Sequence, residues 1–318
     1  MRRTLGMGSG VRAVALSLFA IAATGAAASR PEPGRSAATL AVETASGWVT
    51  WWRSDASPSR WDGSASLSHH VPWQPGIPGV EWGELRIQGA REAWRTRLVI
   101  ARVDPRRIDL SLVPAFADRQ DWNISGVEGD VAVALDAGQF RGSLPFGWVV
   151  TRGRELLSPE YAPLAGAVVV THDGTLRIVP PDSIAHERSQ QTALEAFQSY
   201  PMLLQNGSVP LPLHQAGRGV DFDHRDARLA LGTLPDGRVL IALTRFDALG
   251  ASLGRVPFGL TTPEMAAVMG ALGSRDALLL DGGISAQLVI GDPMGTRREW
   301  PGIRSVPLGL VGRLRPQQ

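Results

Sequence analysis

The sequence predicts an α+β fold: a mixed, largely antiparallel β-sheet core with a few helices, in one domain that carries whatever chemistry the chain performs. Three observations predict it. Apolar and polar residues alternate with period two in many short segments, as half-buried strands require. Two pairs of such segments are joined by Asp-Gly, a strong hairpin signal, at Asp173-Gly174 and Asp236-Gly237. Helical windows are few and do not alternate regularly with strands, which argues against a doubly wound sheet.

The first 28 residues read as an export signal. Arg2, Arg3 and Arg12 form a positive n-region, residues 13–28 are apolar or small, and Ala26-Ala27-Ala28 offers a cleavage site. The apolar run is shorter than the roughly 20 residues a spanning helix needs, so cleavage is expected rather than stable membrane insertion. The expected destination is the periplasm or the exterior of a bacterium. Residues 29–75 divide into a linker rich in Pro, Ala, Gly and Ser, up to about residue 44, and a tryptophan-rich extension. Seven of the 10 Trp lie between residues 48 and 94. Trp faces can stack on sugar rings, but large aromatics also anchor an irregular wrap to a core. The main domain is expected over 76–318.

Within it, strands are expected at 95–103, 108–113 and 130–135, in the hairpins 167–179 and 229–243, at 278–280 and at 305–311. Helices are expected at 189–198 and 262–272. The second has a Thr262 cap, Pro263 in its first turn and Gly273 to end it.

Composition excludes several chemistries. Cys is absent, so there are no disulfides, no thiolate zinc site and no cysteine nucleophile. The sequence pI of 9.8 is misleading. All 32 basic residues are Arg, and with three in the leader they nearly balance the 30 acids. No Arg-rich block carries interleaved aromatics, so nucleic acid is not an expected partner. In Asp221-Phe222-Asp223-His224-Arg225-Asp226, Arg225 stands where a third calcium ligand is needed; a solvated loop is expected there, with no metal and no cofactor. Gly283-Ile284-Ser285-Ala286-Gln287 starts like a nucleophile elbow but ends in Gln, and no His follows it.

Three segments can carry chemistry. In Leu280-Asp281-Gly282-Gly283-Ile284-Ser285 a buried strand runs into an acid and two glycines. The glycine N–H groups can line an anion-binding concavity, and Ser285 can donate to a ligand oxygen; a plain loop turn is the alternative. Leu135-Asp136-Ala137-Gly138-Gln139-Phe140 repeats the pattern with Asp136 at the strand end. Arg225-Asp226-Ala227-Arg228 heads a strand, where Arg228 can grip a phosphate or form a structural ion pair. Two carboxylates at strand ends are what glycoside hydrolysis commonly uses.

These segments, in this order, resemble the phosphodiester glycosidase family. Asp136-Ala137-Gly138-Gln139-Phe140 resembles its Asn-Gly-Gly-Phe-Phe, with Asp in place of the amide. Ala227-Arg228-Leu229-Ala230-Leu231-Gly232 resembles its Pro-Arg-Thr-Ala-Ile-Gly. Gly259-Leu260-Thr261-Thr262-Pro263-Glu264, Asp276-Ala277-Leu278-Leu279-Leu280-Asp281-Gly282-Gly283-Ile284-Ser285 and Arg304-Ser305-Val306-Pro307 are similar to later segments. The family's Asp-Gly-Arg after the second hairpin is missing; Leu243-Thr244-Arg245-Phe246 stands there. The resemblance implies an exported glycosidase that hydrolyses a sugar-1-phosphodiester bond in a glycan or envelope polymer. It implies Asp281 and Asp136 as catalytic carboxylates, with Arg228, Gly282, Gly283, Ser285, Arg245 and Gly138 against the substrate. The rival expectation is a non-catalytic glycan- or envelope-binding protein that keeps the fold.

Overall fold

Among the described residues every paired strand is antiparallel, and the chain builds three sheets by passing among them. The computed structural model describes residues 37–62, 66–215, 220–247, 256 and 258–316. The expected export signal lies outside them. The first pass lays down β1 (Thr39–Thr44), β2 (Gly47–Arg53), β3 (Gln74–Pro75), β4 (Val80–Gln88) and β5 (Thr96–Val103) in a large sheet. The chain then enters a second sheet with β6 (Ile108–Val113) and β7 (Val133–Asp136). A small hairpin follows, β8 (Phe140–Arg141) with β9 (Leu144–Pro145). The third sheet takes β10 (Val149–Thr151), β11 (Arg154–Leu157), β12 (Gly166–Thr171), β13 (Leu176–Val179) and, after helix α1 (Pro181–Gln190), β14 (Ala193–Ser199). The chain returns to the large sheet with β15 (Met202–Leu204), β16 (Leu229–Thr233), β17 (Val239–Phe246) and, after helix α2 (Thr262–Ala271), β18 (Asp276–Leu279). It closes the second sheet with β19 (Leu288–Gly291), β20 (Arg297–Trp300) and β21 (Gly309–Leu314).

The large sheet runs β15-β18-β16-β17-β5-β4-β1-β2, with β3 beside β4; the others run β20-β19-β7-β21-β6 and β11-β10-β14-β12-β13. Period-two alternation assigns each strand's apolar residues to two faces. From β16 and β17, Leu229, Leu231, Ile241 and Leu243 join Leu135 and Leu288 of the second sheet and Val168 and Phe197 of the third in one core. The opposite face of the large sheet, with Ala230, Leu240 and Ala242, packs on Met265, Val268 and Met269 of α2.

Four expectations are corrected. The helix placed at 189–198 is instead the end of α1, closed by Gln191 in the left-handed region, followed by β14. Segment 193–198 becomes a strand because β10 and β12 pair with its two edges and satisfy its backbone. The cap of α2 is Thr261, not Thr262. The Thr261 hydroxyl accepts from the Glu264 N–H, and the Thr261 N–H donates to the Glu264 carboxylate. Residues 39–44, expected in a linker, are a strand of the large sheet with Leu40 and Val42 fully buried. The final strand begins at Gly309 rather than Ser305. Within the tryptophan-rich stretch, Trp52 and Trp82 are buried, Trp51, Trp61 and Trp73 pack against the α2 core, and Trp48 and Trp94 are exposed.

Candidate active site

Antiparallel order brings several strand ends to one place. Leu229 at the start of β16 pairs with Leu243 near the end of β17, and Ala230 pairs with Leu279 at the end of β18. The chain leaving β18 stays locked to β16, because the Leu280 N–H donates to the Leu229 carbonyl at 2.8 Å. In the second sheet, Leu135 of β7 pairs with Leu288 of β19. The two groups join where the Asp281 N–H donates to the Gly138 carbonyl at 3.1 Å. Residues separated by more than a hundred positions in the chain therefore share one neighbourhood.

Asp281 sits partly exposed at this junction. Burial holds its carboxyl above the usual range; hydrogen bonds from Ser285 and the Gly282 N–H, and the Arg304 charge, pull the other way. Asp136 lies beside it, 1 % exposed. Its Oδ1 accepts the Gln287 N–H at 2.9 Å, while Oδ2 is buried with no hydrogen-bond partner among the described residues. Burial first, and then the Asp281 charge, push its carboxyl well above the ordinary range; Arg245 opposes them. The two predicted carboxyls are thus electrostatic neighbours.

Gly282 and Gly283 are needed for packing. A Cβ on Gly282 would lie 2.5 Å from the Ala227 carbonyl, and one on Gly283, at φ +60°, would lie 2.8 Å from Asp226 Oδ2. Their expected anion-binding concavity is not formed. The Gly282 N–H serves the Asp281 carboxyl, and the Gly283 N–H donates to the Ala227 carbonyl at 2.8 Å. Gly138, at φ +71°, is pressed against the Gln198 carbonyl. Ser285 is buried against Asp281, so its hydroxyl orients that carboxyl.

The arginines divide by position. Arg228 is buried, its Nε donating to the Leu260 carbonyl and one terminal nitrogen to the His224 carbonyl, both at 2.8 Å. Arg245 is also buried. Its Nη2 donates to the Ala286 carbonyl at 2.6 Å and the Trp300 carbonyl at 3.0 Å, behind Asp136. Arg304 is exposed, its guanidinium lying 4.6 Å over the Phe140 ring and facing Asp281 electrostatically.

Two site residues, Asp226 and Arg304, are not singled out by the sequence. Asp226, half-buried, stands 3.5 Å from His224 Nε2 and close to Asp281; burial raises its carboxyl, against Arg228. The sequence predicts a solvated loop at 221–226, and nothing local tells Asp226 from its acidic neighbours. Arg304 did carry a signal, since it opens the Arg304-Ser305-Val306-Pro307 segment. Among the described residues no group of three or more His, Asp or Glu could hold a metal ion.

Comparison with known proteins places this arrangement. The sequence profile of the phosphodiester glycosidase family matches residues 125–311, well over half of the chain. Among curated proteins none matches it in sequence. The catalytic domain of zebrafish N-acetylglucosamine-1-phosphodiester alpha-N-acetylglucosaminidase, auto-inhibited by its pro-peptide, is similar in fold. The TM-score is 0.57 at 15% identity, over 81% of this chain and 95% of that one. A hypothetical protein from Synechocystis is similar at TM-score 0.54 and 15% identity, over 87% of this chain and 68% of the other. Every segment of the site from Asp136 to Arg304 falls inside the matched residues, and the chain belongs to the phosphodiester glycosidase family.

Proposed function

We propose that the protein is an exported hydrolase that cleaves the bond between a sugar's anomeric carbon and a phosphodiester in a glycan or envelope polymer. The observation that carries this reading is the convergence of Asp281 and Asp136, with Arg304 facing Asp281. In the proposed reaction, water attacks the anomeric carbon and the bond from that carbon to the phosphate oxygen breaks. The phosphate monoester leaves with the electron pair, and the water's proton passes to Asp281. A phosphate monoester is a fairly good leaving group, so the harder tasks are activating water and stabilising positive charge at the anomeric carbon. A carboxylate serves both, and that role falls to Asp281, the more accessible of the two, with Asp136 as the buried carboxyl beside it.

Arg304 is the group suited to the phosphate, being exposed and beside the catalytic carboxyl. Arg228 and Arg245, with donors committed to backbone carbonyls, shape the loops and set the local charge. The leader fits export to the periplasm or beyond, and the described residues contain no helix long and apolar enough to cross a membrane.

Release of reducing sugar from a sugar-1-phosphodiester tests the proposal. Turnover by the wild type that is lost in Asp281→Asn supports it. Binding without turnover in the wild type supports the rival, a glycan-binding protein that has kept the fold.

A further inference from the structure

The site is acidic for one that would hold an anion. Asp281 lies within electrostatic reach of both Asp136 and Asp226. If all three were charged, a phosphodiester would meet strong like-charge repulsion. We propose that Asp136 stands as an uncharged carboxylic acid in the resting protein, and that this neutrality leaves the site open to an anionic phosphodiester. The proposal rests on the reading of the site given above and deepens it.

The geometry supports a neutral Asp136. A buried carboxylate is stable when several donors reach both of its oxygens. Asp136 is 1 % exposed and receives the Gln287 N–H on Oδ1. Its Oδ2 is enclosed without a hydrogen-bond partner among the described residues. The groups that could supply a second donor are engaged elsewhere. The Gln287 amide gives its Nε2 to the Ser285 carbonyl and takes the Ile124 N–H on Oε1. Arg245 faces Asp136 from β17, but its Nη2 is shared between the Ala286 and Trp300 carbonyls. From the chain leaving β18 comes a like charge, Asp281. On the β21 side, Gly309 sits opposite Asp136 and brings no charge. A carboxylic acid fits these surroundings: its carbonyl oxygen accepts the one N–H that reaches it, and no unpaired charge is buried.

Difference infrared spectroscopy of the full chain tests this without needing turnover. At pH 7 the wild type should show the carbonyl stretch of a protonated buried carboxyl. The same band should persist in Asp281→Asn and disappear in Asp136→Asn. Its absence from the wild type, its loss in Asp281→Asn, or its survival in Asp136→Asn overturns the assignment. Burial also raises the carboxyls of Glu195 and Asp226, so the band must persist in Glu195→Gln and Asp226→Asn as well. If Asp136→Asn does not fold, persistence in these two variants and in Asp281→Asn decides the point, and its loss in any of them overturns the assignment. Inorganic phosphate, titrated calorimetrically at pH 7, tests the consequence. Asp136→Asn should bind it within about threefold of the wild type; a gain of about tenfold or more means that a charge was removed and overturns the proposal. No phosphate binding by either protein overturns the second half of it. An absent glycosidase activity with the band present strikes at the proposed reaction alone.

Discussion

Asp281 and Asp136 both end a buried strand, yet their surroundings assign them different roles. Asp281 has Ser285, a backbone N–H and the Arg304 charge to support its ionised form. Asp136 has one N–H and a neighbouring acid. Asp281→Asn should therefore reduce kcat by two orders of magnitude or more, measured as reducing-sugar release, with the fold unchanged by circular dichroism. Arg304→Ala should raise KM for a phosphodiester about tenfold or more and lower kcat less, the signature of lost binding. Asp136 also predicts a pH dependence of stability. Its folded form holds the proton more tightly than the unfolded chain does, so stability falls as pH rises above the unfolded carboxyl value of about 4. Asp136→Asn removes that penalty. Its Tm advantage over the wild type should be small at about pH 4 and grow toward neutrality; a constant gap across that range contradicts a raised Asp136 carboxyl.

At the scale of elements, α2 shows how local signals and tertiary contacts share one residue. Glu264 completes the capping box with Thr261 and also forms a bidentate pair with Arg225 at 2.6 and 2.7 Å. Both side chains are almost fully enclosed. Removing one partner of a buried pair strands the other charge, so Glu264→Ala should lower unfolding free energy by about 3–5 kcal/mol in denaturant titration. The loss exceeds that of an exposed cap, about 1 kcal/mol. The capping pattern is legible as Thr-Thr-Pro-Glu but not its register: Thr261 and Thr262 are chemically alike, and only the backbone entry angle separates them. Segment 193–199 shows the opposite case. Its residues suit a helix, and two neighbouring strands override that preference.

For the whole molecule, the N-terminal strands are part of the large sheet rather than an attachment to it. Leu40 and Val42 are fully buried, and β1 pairs with both β2 and β4. Leu40→Ala should cost about 2–5 kcal/mol, as a core truncation does, whereas a side chain in a linker would cost almost nothing. A thermal melt separates the two. The three sheets meet in one core, and the strand ends that carry the site are held by it from two sides.

Hairpins at Asp-Gly, period-two strands and the α2 cap depend on neighbours within a few residues, so the chain's order alone determined them. It also marked Asp281 and Asp136, because a buried run ending in an acid and glycine is a local pattern. Which donors those acids meet is a different matter. Arg245 behind Asp136, Arg304 before Asp281, and Asp226 against Gly283 are contacts between residues far apart in sequence. The tertiary structure decided these, and with them which arginine is spent on carbonyls and which faces outward. Desolvation and charge depend on what surrounds a group in space, and sequence order does not record that.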